Sequence, residues 1–231
     1  MSAANVRAHL HLIHSQYTPP HDDGLDLIYQ DEFVLVVNKP AGLLSVPGRG
    51  VDKLDSMANR VQQAFPDALI VHRLDMATSG LLLLARGAEM QRRLSQMFRD
   101  RLVEKRYEAR VAGRMEYASG TVELPLNADW PNRPKQKVDH EAGKHSLTRY
   151  RLLDNDDGSD SSRVELEPVT GRTHQLRVHM AAIGHPILGD TLYGGVIDGC
   201  NAERLLLHAR LLSFAHPLSA QPLTLVCEPT F

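Results

Sequence analysis

Three chemically active side chains lie within the segment "VHRLDMATSGLLLLAR", residues 71–86. His72 can exchange a proton near neutral pH, Arg73 can bind an anion, and the carboxylate of Asp75 can act as a base or a nucleophile. The apolar run that follows, residues 81–85, has the composition of a buried strand. We therefore expect a loop that presents Asp75 and is held in place by the strand. An arginine two positions from an aspartate is also common as a structural ion pair, so this segment alone does not identify a function.

Two further reactive side chains occur in regular patterns. Tyr107 belongs to "KRYEARVAG", where the alternation of apolar and polar residues predicts a half-buried strand with this ring directed inward. The same pattern is typical of an ordinary core aromatic. Arg177 belongs to "THQLRVHMAAIG", a predicted helix that ends at Gly184. The apolar positions of that helix would leave Arg177 on its exposed face.

Patterns for metals and nucleotide cofactors are missing from the sequence. The two cysteines, Cys200 and Cys227, form no CxxC pair, and the spacings of His174, His179 and His185 do not match a ligand pair on one helix face. Neither GxGxxG nor GxxxxGK[ST] occurs. We therefore expect no metal, and no motif supports a nucleotide cofactor.

Composition indicates a folded protein. With 231 residues, of which 42% are hydrophobic, the chain can bury a substantial core. No segment approaches the roughly 20 apolar residues of a membrane span, and the first residues do not resemble a secretion signal, so we expect a cytoplasmic protein. Residues 1–24 lack periodicity and predict a loosely ordered arm, followed by one domain over residues 25–231.

The elements predicted along the domain must position these side chains. A strand is expected at residues 33–37, and a helix capped by Asp52 is expected to run to Phe65. A second helix, with Met90 and Leu94 on its apolar side, presents a basic outer face. Several later strands follow without strict alternation with helices. This order predicts an α+β fold with a mixed, largely antiparallel sheet.

The distribution of charge is more informative than the net charge of −2. Residues 86–114 hold nine lysines or arginines against four acidic residues, an excess of five positive charges. A second basic segment, "DWPNRPKQKVDHEAGKH" at residues 129–145, combines Trp130 with Arg133, Lys135 and Lys137. Cationic side chains beside an indole suit a folded RNA loop, although an ordinary surface loop has a similar composition.

Five motifs in order give the chain a family resemblance: "NKPAGLLSVPG", "HRLDMATSGLLLLA", "KRYEARV", "GRTHQLRVHMAAIGHPILGD" and "LLLHA". This set resembles the RluA family of pseudouridine synthases over roughly residues 25–231. The resemblance implies the pseudouridine synthase fold with its bisected sheet, isomerisation of uridine in RNA, and no cofactor, because the reaction needs neither a redox step nor a group donor. Many relatives carry an N-terminal S4 RNA-binding domain; we expect none in this chain, because its first 24 residues lack the basic helices that such a domain needs.

The resemblance assigns roles to individual residues. Asp75 is the carboxylate that acts near C1′ of the target uridine, by attack on C1′, by addition to the base or by removal of the C2′ proton. Arg177 is brought to that carboxylate, and Tyr107 stacks on the uracil and is a candidate acceptor of its C5 proton. Arg73 fills the gap left by the flipped nucleotide. The predicted substrate-binding set also contains His72, which supports the loop, Leu207 and His208, together with Arg133, Lys135 and Lys137 of the basic segment.

The segments "DWPNRPKQKV" and "VHRLDMATSG" resemble the short, single-domain members of the family that modify both large-subunit ribosomal RNA and the anticodon stem-loop of transfer RNAs. We therefore expect these RNAs as partners, and a monomer. A relative specific for a single RNA site and a non-catalytic RNA-binding protein on the same fold remain alternatives. A glycosidase is disfavoured, because no second carboxylate accompanies Asp75 in a comparable motif.

Overall fold

The computed structural model describes residues 17–156, 158–194 and 202–231. Its strands are β1 Leu27–Gln30, β2 Val34–Lys39, β3 Ala68–Ile70, β4 Ser79–Arg86, β5 Glu104–Ala112, β6 Ser119–Glu123, β7 Leu126–Ala128, β8 Gln136–Val138, β9 Leu147–Asp156, β10 Ser161–Pro168, β11 Leu207–Ala215 and β12 Pro222–Val226. Its helices are α1 Met57–Ala64, α2 Gly87–Arg99 and α3 Gln175–Ala182.

Ten strands of the described residues form one mixed sheet. The strands follow the order β1, β2, β4, β11, β5, β10, β9, β6, while β3 pairs with β4 and β12 pairs with β11. Within these ranges β4 and β11 form the parallel pair, and the other neighbours are antiparallel. The predicted α+β fold with a mixed, largely antiparallel sheet is confirmed.

Strand β4 is buried on both faces, which explains its continuous apolar sequence. Leu81 and Leu83 pack on one face with Met90 and Leu94 of α2. Leu82 and Leu84 pack on the other face with Met57 and Val61 of α1. Because both faces of β4 are covered, the loop before it is attached to a rigid part of the core.

The close approach of β4 to β11 depends on Gly80. This residue has φ +109°, and a Cβ there would lie 2.4 Å from the backbone oxygen of Ala209. Glycine tolerates both the conformation and the contact. The two halves of the sheet therefore meet where the motif "ATSG" contacts the motif "LLLHA".

The start of α1 differs from the prediction. Residues 51–53 form a short 3-10 turn, and α1 begins only at Met57, with the Ser56 hydroxyl accepting a hydrogen bond from the Asn59 backbone N–H at 3.4 Å. The proposed Asp52 cap is therefore wrong. Leu54, which was expected on the apolar face, is 52% exposed. Ser56 is the better cap because its hydroxyl can reach an N–H group of the first turn.

Part of the predicted N-terminal arm contacts the domain. The Tyr17 hydroxyl donates to the Asp55 carbonyl at 3.0 Å and accepts from the Leu44 N–H at 3.0 Å. Arg60 donates to the carbonyls of Pro20 and His21. The rest of the arm, residues 1–16, lies outside the described residues. Over the part of the chain that is described, no helix has the length and apolar character needed to cross a membrane.

Strands β7 and β8 form a separate two-stranded hairpin that the sequence analysis did not predict. Its connection, residues 129–135, includes a 3-10 turn at Trp130–Asn132. Each strand has only three residues, too few to show an alternating pattern. The hairpin carries the basic segment identified from the sequence.

Candidate active site

The loop that carries Asp75 is fixed by the segment "NKPAGLLS". The Ser45 hydroxyl donates to the Leu74 carbonyl at 2.7 Å and accepts from the Leu74 N–H at 3.0 Å. The Lys39 ammonium is fully buried and donates to the Met76 carbonyl at 3.1 Å. Burial lowers the pKa of Lys39 to about 7, against the opposing effect of the Asp75 carboxylate. Both neighbours of Asp75 in the chain are therefore held by hydrogen bonds.

His72 supports the same loop from within the protein. Its Nε2 accepts a hydrogen bond from the backbone N–H of Leu83 at 2.9 Å, and its ring stacks on Phe98 with centroids 4.5 Å apart. Burial, followed by the nearby Lys105 ammonium, lowers the pKa of His72 to about 3, so the imidazole is neutral. These contacts give His72 a structural role, while the predicted contact with substrate stays a prediction.

Asp75, Tyr107 and Arg177 line one cavity of about 680 Å³. Arg73, Leu207 and His174 belong to the same wall. A cavity of this size can hold a nucleoside, since small-molecule sites typically measure about 300–1,000 Å³. The structure thus brings together three residues that are distant in the sequence and that the resemblance assigns to catalysis.

Arg177 is buried, with a side chain only 5% exposed. Its Nε and Nη2 donate to the two carboxylate oxygens of Asp190, each at 2.7 Å, while its Nη1 lies 3.6 Å from Oδ2 of Asp75. The expectation that Arg177 lies on an exposed helix face is wrong, because α3 is enclosed on most sides by the sheet and the β7–β8 hairpin. Its association with Asp75 is observed, but its direct hydrogen-bonding partner is Asp190.

Tyr107 lies on the inner face of β5, as the alternation predicted. Its ring packs against two core clusters, one containing Leu74 and one containing Leu166. Burial, and then the nearby Asp75 carboxylate, raise the pKa of Tyr107 well above its usual value. Its hydroxyl makes no hydrogen bond to another described residue. The phenol is therefore protonated at neutral pH and available to a molecule in the cavity.

Comparison with known proteins identifies the family. Residues 33–182 match the model of a family described as RNA pseudouridylate synthase. The chain is 52% identical over 205 residues to the dual-specificity RNA pseudouridine synthase RluA of Vibrio cholerae, covering 89% of this chain and 83% of the relative. It is 48% identical over 215 residues to the enzyme of that name from Escherichia coli, covering 93% and 98%. The chain belongs to the RluA family of RNA pseudouridine synthases.

A solved structure supports the same conclusion. Human RNA Pseudouridylate Synthase Domain Containing 1 is 30% identical and superposes with a TM-score of 0.75, covering 92% of this chain and 86% of that one. Membership identifies the chain as an isomerase that converts uridine to pseudouridine in RNA. The cavity around Asp75 is thus the candidate active site of a pseudouridine synthase.

His208, a member of the predicted substrate-binding set, does not line the cavity. The ring of His208 is buried, with Nδ1 hydrogen-bonded to the Ser79 hydroxyl at 2.9 Å and Nε2 to the Cys227 carbonyl at 3.0 Å. Both nitrogens are occupied within the fold, because His208 and its cavity-lining neighbour Leu207 point to opposite faces of β11. His208 therefore joins β11 to β4, while its predicted contact with RNA stays a prediction.

The predicted basic residues lie on the β7–β8 hairpin, outside the cavity wall. The Arg133 guanidinium lies over the Trp130 ring, 4.6 Å from its centroid, and Trp130 is 66% exposed. The Lys137 ammonium lies 3.5 Å from the Asp139 carboxylate. The structure therefore presents the indole and its neighbouring charges to solvent.

Sequence reasoning missed three residues beside Asp75. Asp190 anchors Arg177, and Tyr193 and His174 form hydrogen bonds next to them. His174 and Asp190 both occur in the quoted motif "GRTHQLRVHMAAIGHPILGD", so their proximity to Arg177 in sequence was the available signal. Asp190 lies 13 positions after Arg177, and this spacing matches no sequence pattern that predicts an ion pair.

Proposed function

We propose that this pseudouridine synthase acts on two classes of RNA, large-subunit ribosomal RNA and the anticodon stem-loop of transfer RNAs. The proposal is supported by the identity of 48–52% to relatives that are named dual-specificity enzymes. It is also supported by the exposed hairpin, whose mixture of cations and an aromatic ring suits folded RNA loops of more than one sequence.

The proposed catalytic group is the carboxylate of Asp75. Its side chain is 27% exposed at the cavity, so it can contact a uridine while Arg177 stabilises its negative charge. The reaction breaks the bond between N1 and C1′, turns the uracil over and joins C5 to C1′. The proton on C5 is then lost, and N1 gains a proton. Asp75 acts at the sugar by one of the three routes given above.

Tyr107 and Arg73 have complementary roles in this proposal. The Tyr107 ring holds the detached uracil by stacking, which prevents its escape while it rotates. Arg73 is exposed at the cavity edge, where its guanidinium can occupy the space vacated by the flipped nucleotide. The expectations of a cytoplasmic, monomeric enzyme that needs no cofactor stay predictions.

Replacement of Asp75 by asparagine tests the catalytic assignment. We expect conversion of a uridine-containing stem-loop to fall below detection, with RNA affinity and unfolding temperature close to those of the unaltered protein. Turnover near the original rate would contradict the assignment. Pseudouridine mapping in cells that lack the protein tests the two-substrate proposal: loss from only one RNA class would replace it with a single-target enzyme.

A further inference from the structure

A chain of polar contacts joins the β7–β8 hairpin to the catalytic carboxylate. The backbone N–H of Gln136, in β8, donates to the Tyr193 hydroxyl at 2.7 Å. That hydroxyl lies 2.7 Å from Nδ1 of His174. Nε2 of the same imidazole lies 3.8 Å from Oδ2 of Asp75. One histidine thus connects the active site to the surface hairpin.

The tautomer of His174 decides the direction of its hydrogen bond with Tyr193. A backbone N–H can only donate, so the Tyr193 oxygen accepts from Gln136. Donation of the phenolic proton to Nδ1 of His174 satisfies both groups and leaves Nε2 to carry the proton that faces Asp75. A histidine that accepts at Nδ1 is neutral and carries its proton on Nε2. In this tautomer the imidazole directs an N–H donor at Asp75.

The surroundings of His174 favour this neutral form. Its side chain is only 10% exposed, and burial lowers the pKa of His174 although the carboxylate of Asp75 opposes this effect. Burial also raises the pKa of Tyr193, so its hydroxyl keeps the proton that it donates. The backbone of His174 has φ 54° and ψ 17°, immediately before α3. The contacts of its ring with Tyr193 restrict the ring's orientation.

The contacts on Asp75 are asymmetric. Oδ2 is the oxygen that lies nearest both to Nε2 of His174, at 3.8 Å, and to Nη1 of Arg177, at 3.6 Å. At these distances the two groups attract Oδ2 electrostatically rather than through hydrogen bonds.

We propose that His174 is a positioning residue whose tautomer is fixed by Tyr193 and the hairpin, and that together with Arg177 it holds Oδ2 of Asp75 so that Oδ1 faces the substrate. This inference rests on the proposed role of Asp75 and adds a residue that acts through it. It also gives the hairpin a second role besides contact with RNA.

The tautomer can be measured without RNA. In protein labelled with ¹⁵N-histidine, we expect the His174 signals to show a protonated Nε2 and an unprotonated Nδ1, with the signals assigned by their loss in His174→Gln. In Tyr193→Phe the donor to Nδ1 is removed, while the ring that packs beside Arg177 and His174 is kept. We expect the variant to show a mixture of the two neutral tautomers.

The kinetic test compares variants under single-turnover conditions with saturating stem-loop RNA. We expect Tyr193→Phe to lower the rate on the order of tenfold, the effect of about 1.4 kcal/mol of lost hydrogen bonding, with RNA affinity changed less than twofold. His174→Phe keeps a ring but removes the donor, so it should lose at least as much. His174→Gln can return an N–H donor near Oδ2 and should be faster than His174→Phe.

Three results would overturn the proposal. These are a protonated Nδ1 in the unaltered protein, a single-turnover rate for Tyr193→Phe within twofold of the original, and equal rates for His174→Gln and His174→Phe. Failure of the role of Asp75 is distinguishable, because Asp75→Asn would then remain active whatever the tautomer of His174.

Discussion

Arg177 contacts two carboxylates that differ in their surroundings. Asp190 is fully buried and takes two short hydrogen bonds from Arg177, together with the backbone N–H groups of Leu192 and Tyr193. Asp75 is partly exposed and lies farther from the guanidinium. The first carboxylate therefore fixes the arginine, and the second remains free to react.

This difference in burial predicts unequal losses of stability for two matched substitutions. Asp190→Asn leaves a buried guanidinium without its charge partner, and we expect a loss of about 3–5 kcal/mol in the free energy of unfolding, together with slower catalysis. Asp75→Asn should abolish activity with less than about 1 kcal/mol of change, because surface-accessible pairs contribute little. Urea denaturation of both variants checks this. Equal stability losses would contradict the assigned roles.

A substitution at Tyr107 separates stacking from proton transfer. Because its pKa is raised, the phenol can accept the C5 proton only if its own proton leaves in the same step. Tyr107→Phe keeps the ring, so we expect unchanged RNA affinity but a fall of about a hundredfold in the release of tritium from C5-tritiated uridine, in the range typical of general acid–base catalysis. Undiminished tritium release would show that another group takes the proton.

Among the elements, those with long apolar or alternating patterns were predictable from the sequence. Strand β4 and strand β5 were expected because their residues pack on both faces or on one face of a sheet. The β7–β8 hairpin was not expected, because its strands are short. The Arg177–Asp190 ion pair was not expected either. It joins α3 to the segment that follows this helix, so it depends on tertiary packing. Motifs thus predicted which residues meet but not how they contact one another.

The hairpin is expected to determine RNA affinity more than chemistry. Replacing Arg133, Lys135 and Lys137 with alanine removes up to three phosphate contacts, so we expect weaker binding of both stem-loops and a slope of log K against log salt reduced by about 2. Single-turnover rates at saturation should change much less. The matched control exchanges each arginine for lysine and each lysine for arginine, and should keep the slope. Unaltered affinity in the alanine variant would make the basic face of α2 the better candidate.

At the scale of the whole molecule, buried neutral histidines link stability to pH. His72 has an ordinary pKa of 6.5 when unfolded and about 3 when folded, so below pH 6.5 the unfolded chain takes up a proton that the native fold excludes. The contribution of neutral His72 to the free energy of unfolding is fully present above pH 6.5 and is lost as the pH falls toward 3. Burial also lowers the pKa of His174, His179 and His208, which adds to the effect.

His72→Gln tests this linkage, since glutamine can accept the Leu83 hydrogen bond without titrating. Between pH 7 and pH 5 we expect the unaltered protein to lose about 1–2 kcal/mol more of its unfolding free energy than the variant does. Urea denaturation at both pH values measures the difference. Equal losses of unfolding free energy in the two proteins would show that His72 does not contribute to the pH dependence of stability.

The parallel pairing of β4 with β11 has a consequence for synthesis of the protein. Ser79 and His208 are separated by 129 positions, yet their hydrogen bond closes the sheet directly behind the Asp75 loop. Contacts between such distant residues form late, because closing the long intervening loop costs conformational entropy. A growing chain on the ribosome cannot complete this part of the sheet before residues 207–215 emerge. A chain interrupted before residue 207 therefore contains Asp75 but lacks β11 and the part of the cavity wall that Leu207 supplies.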